Sequence, residues 1–407
     1  MNQPFLTAEP AKPIHVRPLS PLRNVDSSTT LQASIEISGI QQYKLFIRVD
    51  CLRTCEPPES CDWLALASIF FTMEFGDSLH VHGPVSRSLL VNLSEFNAIW
   101  HAWRPEKYRM IQLHADKVID EKPVHHDTGY IYAFSGGVDA CASLRRNLNP
   151  GLGWGERRPG AAMIVHGFDI PLECEHGFDL AYERAQRITS SVKIPLVRVK
   201  TNIRELPGNW EDCYAAVVSA VLMAVGRGHQ GGVYAADEPY LNPVLPWGSN
   251  PISNIYLSSG GFPIHSDGAE LTRIQKVDLL THWPEAKKYL RVCWAGEQLG
   301  SNCGKCEKCV RTQLEFMALG AVDLSCFDYE IRRGDVENMV ISNEIQKSYL
   351  VEVLELARKR GVSAWWVCEL ENVVKRYESR GEQPGLKKNT LRLLLSLLKE
   401  RTKNIIR

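Results

Sequence analysis

No apolar run in this 407-residue chain approaches the ~18 residues that span a bilayer. The opening stretch, MNQPFLTAEPAKPIHVRPLSPL, also lacks the apolar core of a signal peptide. Both absences lead us to expect a cytoplasmic protein with no membrane partner. Net charge is absent as well, 47 Lys and Arg facing 47 Asp and Glu. A neutral chain exerts no long-range pull on polyanions, so nucleic acid is not expected as a direct substrate. Neither Gly-x-x-x-x-Gly-Lys-Ser/Thr nor Gly-x-Gly-x-x-Gly occurs, which excludes the usual nucleotide P-loop and the dinucleotide fingerprint. There is no internal repeat and no low-complexity tract. What is present is ordinary globular composition, 44% hydrophobic and 23% charged, in a length that suits two or three domains.

Residues 1–30 carry prolines at positions 4, 10, 13, 18 and 21 and read as an extended arm. Over 31–125, short β-branched and aromatic runs suggest a β-rich N-terminal domain, with strands at Ala33–Ile37, Tyr43–Val49, Trp63–Phe75, Leu79–His82 and Leu89–Leu93. The stretch 126–320 alternates strands and helices. Apolar strands at Tyr130–Phe134, Ala161–His166, Leu196–Val199 and Val233–Ala236 are separated by helices at Val138–Arg146, Leu180–Thr189 and Asp212–Val225. That alternation predicts an α/β fold, a parallel sheet with helices on both faces, whose ligands bind beyond the C-terminal strand ends. Residues 321–407 read as a helical C-terminal extension, with a helical face from Ile345 to Ala357 and a leucine-dense helix from about Asn389 to Lys403.

Ser135-Gly136-Gly137-Val138-Asp139 joins the first strand of that sheet to its helix. A helix N-terminus has unpaired N–H groups and the positive end of a dipole, and so attracts an anion. Two glycines let the backbone approach that anion, and Ser135 adds a hydroxyl donor. Asp139 makes sense there if it orients the loop through backbone N–H groups or helps to hold magnesium.

Twelve cysteines in such a chain argue for metal, catalysis or core packing rather than disulfides. Four of them form Cys293-x9-Cys303-x2-Cys306-x2-Cys309. Four soft ligands at that spacing suit a closed, structural tetrahedral zinc, although spacing alone also permits an iron–sulfur cluster or redox thiols. Lys305, Lys308 and Arg311 are placed to offset the thiolate charge.

These residues resemble a family. Ser-Gly-Gly-x-Asp after the first strand is similar to the PP-loop of ATP pyrophosphatases, which cleave ATP between the α- and β-phosphates. That resemblance implies the adenine nucleotide alpha hydrolase-like form of the α/β fold, with ATP and Mg2+. The family usually continues with Ser or Thr where this chain has Ala140. A PP-loop followed about 155 residues later by the cysteine set resembles the 7-cyano-7-deazaguanine synthase (QueC) family. The matching residues are Val292-Cys293-Trp294 and Cys303-Gly304-Lys305-Cys306-Glu307-Lys308-Cys309, and the resemblance covers roughly 128–320. It implies adenylation of a deazaguanine carboxylate, release of pyrophosphate and transfer to ammonia or a protein partner from the same operon. QueC-like proteins with extensions also occur in antiphage defence operons of the Qat and type IV CBASS kinds.

Further residues follow the predicted strands. His166 and Phe168 stand where adenine commonly sits in this fold class, though a histidine there also serves as a structural hydrogen bonder. Arg198, Lys200 and Asn202 straddle the end of the third strand, for an anion or for solvent. Asp237 and Glu238 are placed to hold magnesium or to read a guanine-like edge, or else to form a solvated turn. Trp247 and Ser249 lie on a polar loop that is either a platform or ordinary surface. Arg273 and Lys276, at i and i+3, share a helix face that meets pyrophosphate or water. Two rival functions remain: a tRNA-modifying PP-loop enzyme using Cys141 or Cys213, and a catalytically degenerate nucleotide-binding scaffold.

Overall fold

Strand-forming alternation recurs along two-thirds of the chain, and the strands it makes all join one sheet. The computed structural model describes residues 12–381, apart from 25, 27, 38–40, 51–56, 121–127, 149–150, 152, 294–298 and 322–323. The leucine-dense 389–403 stretch, Cys51, Cys55 and Trp294 lie outside the described residues. The strands are β1 (Pro13–Arg23), β2 (Thr29–Ile37), β3 (Gln41–Asp50), β4 (Ser78–Ser86), β5 (Gln112–Ile119), β6 (Tyr130–Ala133), β7 (Pro159–His166), β8 (Leu196–Thr201), β9 (Gly232–Ala235) and β10 (Ile264–Asp267). The helices are α1 (Asp62–Phe75), α2 (Arg87–Trp103), α3 (Val138–Asn147), α4 (Glu175–Ser191), α5 (Trp210–Val225), α6 (Arg273–Thr281), α7 (Pro284–Tyr289), α8 (Glu307–Ala318), α9 (Arg333–Glu337), α10 (Glu344–Lys359) and α11 (Trp365–Gly381).

The sheet order is β10-β9-β6-β7-β8-β3-β2-β1-β4-β5. The first five strands listed are mutually parallel. Counted within that unit, their order is 5-4-1-2-3, so the order reverses between β6 and β9. The helices change face at the same place. Ile131, Ala161 and Met163 point to the face covered by α1, α2 and α5, while Tyr132, Ala162 and Ile164 point to the face covered by α3, α4, α6 and α7. Period-two alternation therefore divides two apolar cores. A third core joins α8 to α9, α10 and α11 through Leu314, Leu350, Val353, Trp366 and Leu370.

Several expectations need correction. The sheet is mixed, because β1–β2, β2–β3 and β3–β8 pair antiparallel. Residues 13–23 are strand β1 inside that sheet, and no extended arm is found there. Pro13 is its first residue, and Pro18 and Pro21 lie beyond the pairing with β4, which ends at Val16–Val81, so there one side of β1 needs no donor. The 31–125 stretch is α/β: Trp63–Phe75 lies in α1 and Leu89–Leu93 in α2. Twelve successive residues of α1, Asp62 to Met73, are buried, so no polar face existed to mark a helical period. Nor do these strands stand apart, because Ile47–Asp50 of β3 pairs with Arg198–Thr201 of β8. Asn202 secures that junction, accepting from Phe46 N–H at 2.9 Å and donating to Lys44 O at 2.8 Å.

Candidate active site and metal centre

Ser135–Asp139 leaves the C-terminal end of β6 at the point of order reversal, and Asp237-Glu238 leaves β9 beside it. In open α/β sheets a crevice forms at such a point, because neighbouring connections run to opposite faces. Gly136 adopts φ +74°, a left-handed conformation that disfavours other residues, and a Cβ there would meet nothing nearer than Ala185 Cβ at 4.0 Å. Ser135 is exposed, while Val138 is buried and begins α3. Ala140 packs into the core with Phe134 and Leu144, and the nearby Ser143 hydroxyl donates to Asp267 at 2.7 Å.

Asp139 accepts from Arg273 Nη1 at 2.8 Å and from Lys276 Nζ at 3.1 Å, one cation on each oxygen. Burial pushes this carboxyl up, but Lys276 and Arg273 outweigh it and hold it below the usual carboxylate range. Arg273 and Lys276 are thus not a solvated pair. A capping box, Thr272 with Gln275, starts α6 and aims both side chains inward. Arg273 Nε reaches Glu315 on α8 at 3.2 Å, and Lys276 Nζ also donates to Ala236 O at 2.6 Å. Each oxygen of Asp139 thus already takes one cation, and a magnesium ion would have to share the remaining lone pairs.

Arg291 escaped the sequence reading, and Lys308 entered it only as a charge partner of the cysteines. Arg291 is buried, receives no sequence motif, and donates its N–H to Gly136 O at 2.9 Å and its Nε to Leu299 O at 3.0 Å. Lys308 lies next to a cysteine of the cluster, the one signal that marked it. Burial first, then Arg273 and Arg311, push its ammonium below the ordinary lysine range, while Asp139 and Asp169 oppose them. Nη2 of Arg273 and Nη2 of Arg291 are both buried without a hydrogen-bond partner among the described residues. Single nitrogens of Arg104, Arg146 and Arg184 are buried without such a partner too, so it is the position of this pair beside the bend that suggests an anion.

Across the crevice, Asp237 accepts from the Tyr214 hydroxyl and from Trp247 Nε1, the latter at 3.3 Å. Ser249 is buried nearby and accepts from Asn254 Nδ2 at 3.3 Å. Asp237, Trp247 and Ser249, separate in the sequence, therefore converge through Tyr214, which no motif marked. Burial raises the Asp237 carboxyl despite the Tyr214 bond. Glu238 accepts from Tyr349 of α10 at 2.7 Å, and burial lifts its carboxyl to about 7 against that bond. Neither acid is part of a solvated turn.

His166 is not available to a base. It is buried, donates Nε2–H to Pro171 O at 2.9 Å and stacks on Phe178 with centroids 4.4 Å apart. Phe168 is half-buried and lies 5.4 Å from the Trp210 ring. Arg198 and Lys200 are ion-paired to Asp179 and Glu175 of α4 at 2.5 and 2.9 Å.

The four cysteine sulfurs lie within 4.8 Å of one another, with Cys293–Cys306 at 3.7 Å and Cys303–Cys309 at 3.9 Å. Gly304, at φ +74°, makes the turn between two of them, where a Cβ would strike Tyr329 at 2.6 Å. Asn302 braces the loop, accepting from Val292 N–H at 2.8 Å and donating to Leu290 O at 2.8 Å and Cys326 O at 2.9 Å. This cluster could hold a metal such as zinc, and its all-sulfur donor set, two cysteines buried and two half-buried, suits that ion. Two of the expected charge partners are engaged elsewhere: Arg311 pairs with Glu307 and Glu315 at 2.7 and 3.0 Å, and Lys305 lies 4.7 Å over Tyr329.

No family model, curated protein or solved structure matches the chain. Cys141 and Cys213, the thiols a persulfide route would need, are buried and half-buried, and desolvation raises both above the ordinary thiol range.

Proposed function

We propose that the chain is an ATP-dependent ligase of the QueC-like PP-loop kind. It would adenylate a deazaguanine-type carboxylate, release pyrophosphate and pass the acyl group to ammonia or to a protein partner, in biosynthesis or in antiviral defence. The observation that carries this reading is the pair of orphaned guanidinium nitrogens of Arg273 and Arg291 beside a glycine bend at the sheet's reversal point. ATP supplies the activated α-phosphorus and a stable leaving group. Ser135, Gly136 and Gly137 offer hydroxyl and backbone donors to the phosphates, and Val138 anchors the helix that presents them. Arg273, Arg291 and Lys308 take up charge that develops on the departing pyrophosphate. Asp139 positions Arg273 and Lys276 and needs no metal for that role. Asp237, held by Tyr214 and Trp247, faces the substrate with its second oxygen, which suits a ring N–H and amine. Ser249 sets the Tyr214 side of that wall. Orientation and charge stabilisation suffice, and no protein nucleophile is required.

The test is pyrophosphate release from ATP with a carboxy-deazaguanine, on zinc-replete protein with its operon partners. Release that falls at least about tenfold in Arg291→Gln supports the ligase, one lost charged hydrogen bond being worth about 1.5–3 kcal/mol. ATP binding without any turnover would instead favour the scaffold.

A further inference from the structure

A second set of metal-ligating side chains lies at the opposite end of the sheet, on β1, β4 and β5. Strand alternation buries Ile14, Val16, Leu79 and Val81 on one face and puts His15, His80, His82, His114 and Asp116 on the other. Register aligns His15 with His80 and His80 with His114 across the three strands. The His80 and His114 rings stack with centroids 4.4 Å apart, and the His15 centroid lies 4.9 Å from that of His80. Glu36 on β2 pairs opposite His15, and Arg17 follows it on β1.

The decisive geometry is at His82. Its Nδ1 lies 3.3 Å from Asp116 Oδ1, which favours the tautomer with the proton on Nδ1 and the lone pair on Nε2. In that tautomer Nε2 accepts from His15 Nδ1–H, 3.0 Å away, and an incoming metal ion would displace this proton. A carboxylate behind an imidazole is the arrangement that backs metal-bound histidines. Two nitrogens on one tetrahedral ion at ~2.0–2.1 Å stand about 3.3 Å apart, close to the spacing already present. His80, two residues along the same strand and face, can bring a third nitrogen by turning its ring away from Ser78 Oγ, now 3.2 Å from its Nε2.

We propose that His15, His82 and His80, with Asp116 behind His82, form a binding site for a divalent transition metal of the zinc, nickel or copper class. Imidazole donors select such ions over magnesium and calcium. The ion would clip β1 to β4, residues that lie 67 positions apart in the chain. This site is independent of the cysteine cluster and of the ligase reading.

The experiment counts zinc bound to the full-length, reduced protein after stripping and equilibrium dialysis against buffered zinc. Two ions per wild-type chain are expected, and one in His15→Gln and in His82→Gln. Cobalt(II) charge-transfer bands from the thiolate site should stay unchanged in both variants and so report that they are folded. Asp116→Asn, at an exposed position, should weaken the second ion about 10–100-fold. Stoichiometry unchanged in the histidine variants, or undiminished affinity in Asp116→Asn, overturns the proposal.

Discussion

Asp139 shows how one side chain can be required by the charge of its neighbours. It is 28% exposed and faces two cations that are 5% and 2% exposed. Replacing it with Asn leaves both cations under-compensated. We expect Asp139→Asn to lower stability at pH 7 by about 2 kcal/mol, below the 3–5 of a fully buried pair because water reaches this one. Its folded carboxyl titrates below an ordinary Asp, so the stabilisation is present above about pH 4 and is lost as pH falls through the folded value. Urea unfolding at pH 7 and pH 3 should therefore show a smaller gap between mutant and wild type in acid. Glu238 has the opposite sign. Its carboxyl is raised from 4.5 to about 7, so its contribution is full below pH 4.5 and disappears as pH rises through 7. Wild type should lose up to about 3 kcal/mol between pH 5 and pH 8 relative to Glu238→Gln, at about 1.4 kcal/mol per pKa unit. Parallel curves for the two proteins would contradict this.

At the scale of elements, α10 reaches into the crevice. Its face of Leu350, Val353, Leu354 and Ala357 packs in the third core, which orients Tyr349 toward Glu238, while Arg311 sits 4.6 Å over the same ring. Tyr349→Phe keeps the ring and removes only the donor. The hydrogen bond it supplies opposes burial, so the Glu238 transition should move above 7, read as a shift in the pH dependence of the urea midpoint. The strand–loop–helix of β6 and α3 was legible because five apolar residues and a Gly-Gly turn are local signals. The α10 periodicity was legible for the same reason, since one face is buried and the other wet. Helix α1 was hidden because burial on all sides erases the period. Strand β1 was hidden because its prolines read as disorder until β2 supplied a partner. Arg291, Tyr214 and Tyr349 reach the crevice only through tertiary packing, and nothing beside them in the sequence pointed there.

The whole molecule is organised around one sheet that runs from β10 to β5. The pairing of β3 with β8 links residues about 150 apart, and such long-range antiparallel contacts leave no mark in composition; that is why a separate N-terminal domain was expected. Long-range order also creates the crevice, because only the sheet order brings the β6 and β9 loops together. Part of the resulting site was foreseeable: the Ser135–Asp139 bend and the four cysteines are compact strings. Their surroundings of buried cations were foreseeable only in part: Arg273 and Lys276 could be placed on one helix face, but whether it meets pyrophosphate or water stays open until α6 is docked on α3 and α8. The account stands on that bend receiving phosphates. The direct measurement is calorimetric titration of ATP into wild type and Ser135→Glu, a substitution at an exposed position that sets a carboxylate where the phosphates would lie. The account predicts saturable binding to wild type and its loss in Ser135→Glu at unchanged melting temperature. Equal binding to both, or none to folded wild type, would contradict it.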